Sequence, residues 1–213
     1  PIVAILDGLP LANHDLLEDR LIIDDPDDYA SAYTVADRTH GTAMASLVVC
    51  GDLSVEEPPS ARPVYMRPIM RPIPWIGSPR PEQIPNDVLV VDHIHRAVRR
   101  MFEGEGTVSA SAPTIRIINF SIGDPCRQFT QGLSPLARLL DWLSVKYRVV
   151  FVISAGNHAQ DIETGIAKTE YDALPYTDKE AAVIRALYED ARHRRILSPG
   201  ESINGITDRK SVV

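Results

Sequence analysis

The sequence has little cysteine and lacks both a long apolar run and a glycine-rich phosphate loop. Its two cysteines, Cys50 and Cys126, lie far apart among the 213 residues and form no C-x-x-C pair. This usage predicts free thiols in a reducing compartment, with a single disulfide as the alternative, and a cytoplasmic location follows as the default. Because no run of eighteen apolar residues is present, no membrane-spanning helix is expected. The missing phosphate loop weakens a nucleotide-binding function.

Charge and composition narrow the classes of function further. Acidic residues outnumber basic ones by 29 to 22, which gives a formal net charge of −7 at pH 7. This excess argues against nucleic acids and acidic membranes as partners, because both carry negative charge. The apolar share of 44% and the charged share of 24% are typical of a globular chain. A chain of this length suffices for one domain with a substantial core.

Strand-like apolar runs alternate with helical periodicity along the chain. The runs cover residues 2–6, 64–70, 115–121, 149–154 and, more weakly, 203–207. Apolar residues recur at helical spacing over 91–102 and 136–147, and the dipeptide Ser134-Pro135 predicts the start of the second helix. Nearly continuous apolar strands separated by helices predict an α/β fold of three layers, α/β/α, with a mostly parallel sheet. An active site is expected at the carboxyl ends of the strands.

Two segments depart from this alternation. Residues 58–87 form a proline- and arginine-rich loop region that holds nine of the 17 prolines. The part from 71 to 85 is expected to be an extended loop. Residues 160–195 are polar and helical and are interpreted as an insertion, with a helix that begins at a capping box formed by Thr177 and Glu180.

Other polar groups are interpreted as solvated surface. The four aspartates between residues 24 and 28 are expected to form a solvated acidic turn, with a calcium site as the alternative. His93 and His95 lie two residues apart on a predicted helix and point in different directions, so they cannot form a simple two-histidine metal site. Both are expected to be exposed at the surface. No metal site and no cofactor are therefore predicted.

Three polar residues stand at positions suited to catalysis. Asp7 ends the first strand, His40 opens a segment of small residues that is typical of a buried helix, and Asn157 follows the strand over 149–154. Taken alone, each has an ordinary structural interpretation as a capping, core or turn residue. Taken together they suggest chemistry, since a general-base imidazole needs a carboxylate to orient it and an amide can donate to an oxyanion.

Four motifs, in order, resemble those of the subtilase family of serine proteases. They are Leu6-Asp7-Gly8, His40-Gly41-Thr42, Ile118-Asn119-Phe120-Ser121-Ile122-Gly123 and Ser154-Ala155-Gly156-Asn157. The resemblance covers residues 2–157, and residues 198–207 are similar to the strand that follows. It implies a subtilisin-like peptidase domain over 1–213, incomplete at its C-terminal side, that acts on a peptide or protein substrate. Whether a regulatory protein partner exists stays open.

The resemblance also implies roles for individual residues. Asp7 would orient His40, His40 would take the proton from a serine, and Asn157 would donate to the oxyanion. The residues that would flank the substrate backbone and the specificity pocket are Ser121, Ile122 and Gly123.

Two features depart from the family pattern. Gly8 follows Asp7 where the family usually carries a serine or threonine, whose hydroxyl helps to hold the carboxylate. The family's Gly-Thr-Ser-x-Ala motif is absent, and the serines that follow the oxyanion motif, Ser198, Ser202 and Ser211, lack its context. Because the serine comes last in the subtilase order, the sequence is expected to be truncated before the nucleophile and the isolated chain to be inactive. The alternative is a pseudoprotease that binds peptides or protein partners without cleaving them.

Overall fold

The computed structural model describes residues 1–55, 57–157, 161–191 and 194–208. Its strands are β1 (Val3–Asp7), β2 (Leu21–Ile23), β3 (Val64–Pro68), β4 (Arg71–Pro72), β5 (Glu82–Gln83), β6 (Ile117–Phe120), β7 (Asp124–Gln128), β8 (Val150–Ser154), β9 (Leu197–Ser198) and β10 (Ile206–Asp208). Its helices are α1 (Thr39–Cys50), α2 (Val90–Glu103), α3 (Pro135–Tyr147), α4 (Lys168–Ala173) and α5 (Tyr176–Glu189), with short 3-10 helices at Tyr29–Ala32 and Val35–Asp37. None of the helices described combines the length and the apolar character needed to cross a bilayer.

Six strands form one sheet in the order β10-β8-β6-β1-β3-β2, and each neighbouring pair is parallel. The predicted α/β class with a mostly parallel sheet is therefore confirmed. Strand β1 lies in the middle of the sheet, and its residues Ala4, Ile5 and Leu6 are fully buried. A central strand covered on both faces has no side that meets water, which explains its unbroken apolar run. The carboxyl ends of the parallel strands lie at one edge of the sheet, where Asp7 ends β1.

Helices cover both faces of this sheet. On one face, Leu6 packs in a cluster with Ile94 of α2 and Leu140 of α3. On the other face, Ile5 packs with Ala45 of α1. Neighbouring residues of β1 serve opposite faces because side chains alternate along a strand. Each fully buried large aliphatic side chain contributes about 1.5–3 kcal/mol to folding, so the two clusters fix the helices on the sheet.

The helix starts show where local sequence signals succeed and where they fail. Ser134 accepts a hydrogen bond from the Ala137 N–H at 3.0 Å, and Pro135 is the first residue of α3, as predicted. Helix α5 begins at Tyr176, so Thr177 lies inside the helix and the predicted capping box is wrong. The preceding Pro175 starts this helix with its own fixed φ of −56° and makes no side-chain cap.

The two unusual segments both contain regular structure. Within the expected loop over 71–85, β4 and β5 form a short antiparallel pair, and the Ile73 N–H donates to the Pro81 carbonyl at 2.9 Å. Arg80 attaches this segment to the rest of the fold through an ion pair with the buried Asp37, at 2.6 Å. Helices α4 and α5 lie within 160–195, and the interpretation of that segment as an insertion stays a prediction.

Two of the four aspartates before the first 3-10 helix, Asp24 and Asp27, are ion-pair partners and not part of a solvated turn. Asp27 accepts from Arg67 at 2.7 Å and from Arg96 at 2.6 Å, and Asp24 accepts from Arg100 at 2.9 Å. The Arg67 side chain is only 1% exposed, and a buried guanidinium requires such partners. The pKa of Asp24 lies below its ordinary value although burial opposes this, because Arg100 and Tyr65 donate to its carboxylate. The expectation of solvation is thus wrong for Asp24 and Asp27.

His93 also departs from its predicted exposure. Its side chain is buried, and Nε2 lies 3.1 Å from the Ile69 carbonyl, because the face of α2 that carries His93 packs toward the sheet. Burial lowers the pKa of His93. His95 packs its ring edge against Trp142 of α3. The prediction that both are surface residues is wrong for His93, which serves the core.

Candidate active site

The buried carboxylate of Asp7 lies at the carboxyl end of β1. Its side chain is 0% exposed, and its Oδ1 accepts the N–H of Gly8 at 2.6 Å. Its Oδ2 is also buried and has no hydrogen-bond partner among the residues described. A buried carboxylate is costly unless charges or donors compensate it, so this position requires a further partner for Asp7.

His40, the second residue of α1, is that partner. Its Nδ1 lies 2.6 Å from Asp7 Oδ1, across 33 residues of sequence. The histidine side chain is 48% exposed whereas the aspartate is fully buried, so the imidazole lies between the carboxylate and solvent. With Nδ1–H donating to Asp7, Nε2 becomes the ring atom that accepts a proton.

The pKa of His40 is raised above its ordinary value. The main cause is the hydrogen bond to Asp7, whose carboxylate favours the protonated imidazole, and burial opposes it. The negative charges of Asp7 and Glu82 add to the increase. A histidine held in this way has the properties of a general base whose imidazolium form is stabilised.

Gly41 explains why α1 reaches Asp7 at all. A Cβ on Gly41 would lie 2.3 Å from the carbonyl oxygen of Gly8, so only glycine lets the first turn of α1 lie against the backbone that follows β1. Thr42 adds a second connection, because its Oγ1 accepts the Leu11 N–H at 2.9 Å. The His-Gly-Thr motif thus places the imidazole through backbone contact, and not through the Asp7–His40 bond alone.

Asn157 faces the same cleft as His40. The cleft has a volume of about 610 Å³ and is bordered by the ends of β6 and β8, with Asn119, Ser121 and Ser154 among its lining residues. The exposed Asn157 also lines it, so the predicted base and the predicted oxyanion donor share one cavity. Ile162 and Leu187, which lie within the segment interpreted as an insertion, form part of its wall.

A turn at Gly156 directs Asn157 into this cleft. Gly156 has φ +91°, and a Cβ there would lie 2.5 Å from the Leu197 side chain. Both the positive φ and the close approach therefore require glycine. The Gly156 N–H donates to Ser154 Oγ at 3.1 Å, which fixes the turn that follows β8.

The predicted substrate-binding residues lie immediately after β6 and divide between two cavities. Ser121 lines the cleft with His40, and its hydroxyl donates to Asn119 Oδ1 at 3.0 Å. Ile122 and Gly123 line a neighbouring cavity of about 580 Å³.

The serines that follow the oxyanion motif are engaged elsewhere. Ser198 is 3% exposed and donates to Ser134 Oγ at 2.7 Å, and Ser202 donates to Asp141 Oδ1 at 2.6 Å. Neither lines the cleft that contains His40. Ser211 lies outside the described residues. Neither Ser198 nor Ser202 is therefore placed to act as the serine partner of His40.

One further acid beside the pair was missed by sequence reasoning. Glu82 in β5 reaches over Gly8, so closely that a Cβ on Gly8 would lie 1.9 Å from Glu82 Oε1. Tyr33 Oη lies 2.5 Å from the same oxygen. Burial and the charge of Asp7 raise the pKa of Glu82, and the Tyr33 hydrogen bond opposes this. No sequence signal identifies Glu82, because it lies in a proline-rich segment far from any recognisable motif.

The described residues offer no group of three or more histidine, cysteine, aspartate or glutamate side chains arranged to hold a metal ion. Both cysteines are free thiols, as predicted, with Cys126 exposed and Cys50 partly buried.

Comparison with known proteins gives one positive result. The sequence profile of the subtilase family matches residues 1–184, which include Asp7, His40 and Asn157. No curated protein matches the chain at a significant level. The assignment of the chain to a family therefore rests on the profile match.

Proposed function

Because this chain belongs to the subtilase family of serine proteases, we propose that it contributes the acid, base and oxyanion groups of an endopeptidase. The observation that carries the proposal is the contact between Asp7 Oδ1 and His40 Nδ1 at 2.6 Å, at the mouth of a cleft that Asn157 also lines. The reaction is acyl transfer, in which a serine hydroxyl attacks a peptide carbonyl.

In this proposal each group has one task. His40 Nε2 takes the proton of the attacking serine and later gives it to the amine that leaves, while Asp7 keeps the ring oriented and stabilises its cationic form. Asn157 donates to the oxygen that becomes negative in the tetrahedral intermediate. The residues Ser121 to Gly123 hold the substrate backbone across the two cavities that they line.

The nucleophile is proposed to lie outside these 213 residues. The sequence contains no Gly-Thr-Ser-x-Ala motif, and Ser198 and Ser202 are hydrogen-bonded to other side chains. On this basis the 213 residues alone bind peptide substrates without hydrolysing them. Turnover by these residues that disappears with Ser198→Ala or Ser202→Ala would contradict this part of the proposal.

A fluorophosphonate probe tests the function on the full-length protein. The probe reacts with a serine only when a general base activates it, so we expect labelling that His40→Ala abolishes. His14→Ala is the matched control, because His14 is exposed and lies in the turn before β2. Labelling that survives in His40→Ala, or that is absent from the wild-type protein, would refute the proposal.

A pseudoprotease is the second candidate, and Gly8 favours it. The hydroxyl that usually holds the family's aspartate is missing at this position. In that case the same cleft binds a peptide or a protein partner without cleavage. Reading the gene beyond the codon for Val213 separates the candidates, because a nucleophile motif there supports the enzyme and its absence supports the binding domain.

The free thiols Cys50 and Cys126 also support a reducing, cytoplasmic location for the protein. Cell fractionation of the full-length protein tests this inference. Recovery from an oxidising compartment, with Cys50 or Cys126 disulfide-bonded, would contradict it.

A further inference from the structure

Glu82 replaces, in space, the side chain that Gly8 lacks. Its Oε1 lies 1.9 Å and its Oε2 3.0 Å from the point where a Cβ of residue 8 would be. The carboxyl group of Glu82 therefore packs on the backbone of Gly8, and the N–H of Gly8 donates to Asp7 Oδ1 at 2.6 Å. Through this one residue, Glu82 is connected to the carboxylate that holds His40.

If Glu82 is ionised, the single proton of the Tyr33 hydroxyl has to serve two acceptors. Tyr33 Oη lies 2.5 Å from Glu82 Oε1 and 3.0 Å from the Met70 carbonyl oxygen. A phenol has a single proton, whereas an ionised carboxylate and a carbonyl only accept. Both contacts are satisfied together only when Glu82 carries a proton, donates to Tyr33, and Tyr33 donates to Met70.

The surroundings of Glu82 favour this protonated form. Burial raises the pKa of Glu82, and the negative charges of Asp7 and Asp37, which face it, raise this pKa further. His40 on α1 and the hydroxyl of Tyr33 act in the opposite direction. The charge of Asp37 is already shared with Arg80, while Asp7 Oδ2 is buried and accepts no hydrogen bond from the residues that the structure describes. A second negative charge beside Asp7 is therefore unfavourable, as for any two carboxyl groups in one site.

We propose that Glu82 is a positioning residue of the Asp7–His40 pair, which holds the backbone at Gly8 in place and shares a proton with Tyr33. When Glu82 is protonated, it donates to Tyr33 and leaves the negative charge beside His40 to Asp7 alone. When Glu82 loses its proton, Tyr33 donates to Glu82 and a second negative charge lies near the imidazole. The catalytic consequence rests on the proposed function, but the protonation of Glu82 does not.

Carbon-13 carboxyl spectra of the full-length protein test the protonation directly. We expect the signal that Glu82→Gln removes to titrate above the ordinary range of a glutamate, and Glu18→Gln, at an exposed position, is the control variant. Tyr33→Phe removes a partner of both forms of Glu82, but the bond that Tyr33 donates to the ionised carboxylate is charge-assisted and the stronger of the two, so Glu82 should titrate at still higher pH in this variant. A Glu82 signal that titrates in the ordinary range of a glutamate would overturn the proposal, whether or not the protein cleaves peptides.

The coupling to His40 gives a second readout. Only the ionised form of Glu82 raises the pKa of His40, so Glu82→Gln should lower the protonated fraction of the imidazole at pH values above the titration of Glu82. If the protein is a peptidase, the acid limb of kcat/KM moves to lower pH in the same variant, because His40 must be neutral to act as a base. Glu18→Gln should change neither quantity. Identical protonation of His40 in wild type and Glu82→Gln at pH values above the titration of Glu82 would refute the coupling.

A pair of variants tests the packing at Gly8. Gly8→Ser places a side chain where Glu82 lies and should displace the carboxylate of Asp7, with a loss of about 10²-fold in kcat, as for a misplacement of roughly 1 Å. Adding Glu82→Ala removes the collision, and the introduced hydroxyl is then free to hold Asp7. We expect the double variant to recover most of the lost Asp7–His40 contact, seen in the imidazole N–H signal. A double variant as impaired as Gly8→Ser, with both folded, would overturn the packing argument.

Discussion

Asp7→Asn separates the charge of the buried acid from its shape. Asp7 Oδ1 accepts from two donors, the Gly8 N–H and His40 Nδ1, each at 2.6 Å. An amide NH₂ cannot accept from the Gly8 N–H, so the asparagine must place its oxygen at the Oδ1 position. The NH₂ group then takes the place of Oδ2, which is buried and has no partner among the residues described.

The substitution should reduce both the stability and the activity of the protein, by different amounts. The buried NH₂ group without an acceptor should lower the free energy of unfolding by about 1–3 kcal/mol. The oxygen still accepts from His40 Nδ1, so the tautomer is retained in this geometry, but the charge that stabilises the imidazolium is gone. We therefore expect the pKa of His40 to fall and kcat to fall by about 10²–10⁴, the range that general-base catalysis supplies.

Three measurements on the full-length protein check this reasoning. Urea denaturation gives the free energy of unfolding, a nitrogen-15 titration gives the pKa of His40, and initial rates on a peptide substrate give kcat. Asp15→Asn is the control, because Asp15 is exposed in the turn before β2. A kcat for Asp7→Asn within threefold of wild type, in a folded variant with an unchanged His40 pKa, would refute the role given to the Asp7–His40 contact.

Three further predictions concern the groups around the pair. Asn157→Ala should lower kcat by about 10²–10³-fold with little change in KM, a magnitude already known for this kind of residue in subtilisin and tested by steady-state kinetics. Gly41→Ala places a Cβ 2.3 Å from a backbone oxygen, so urea denaturation should show a loss of about 1–3 kcal/mol, and an unchanged stability would contradict the packing. Arg80→Ala leaves Asp37 buried without its ion-pair partner and should destabilise the fold at neutral pH, whereas Arg71→Ala, from an exposed pair, should not. The pKa of Asp37 is lowered by Arg80, so the stability that this pair gives the wild type is present above about pH 4 and lost as the pH falls. If the free energies of unfolding of Arg80→Ala and wild type differ equally at pH 7 and pH 2, this reasoning is wrong.

The sheet follows closely from the sequence because its signal is local. The apolar run over 149–154 corresponds to β8 at Val150–Ser154, and the run over 2–6 corresponds to β1 at Val3–Asp7. Strands buried on both faces need apolar side chains at nearly every position, so the run itself marks the strand. The position of Asp7 at a strand end follows from the same run.

Contacts between distant segments leave no such signal. Glu82 and Tyr33 are separated by 49 residues, and neither belongs to a periodic pattern. His93 was expected at the surface because its spacing from His95 excludes a shared metal, yet burial depends on the packing of α2 against the Ile69 backbone. The ion pairs of Asp24 and Asp27 likewise depend on arginines from β3 and α2. Sequence patterns locate elements, whereas the partners of isolated polar residues are decided by the tertiary fold.

The missing side chain at Gly8 links a local feature of the sequence to contacts between distant segments. The carbonyl of Gly8 lies against Gly41, which has no Cβ, and because residue 8 has no Cβ either, the carboxyl of Glu82 packs on its backbone. The position of His40 is thus coupled to the segment of β4 and β5, which Arg80 attaches to Asp37. A perturbation of that ion pair should therefore be felt at the imidazole, although the guanidinium itself makes its bonds to Asp37 and to the Ala32 carbonyl. In this chain residue 8 offers no hydroxyl to hold Asp7. Glu82, which is distant in sequence but close in space, supports the backbone beside Asp7 instead.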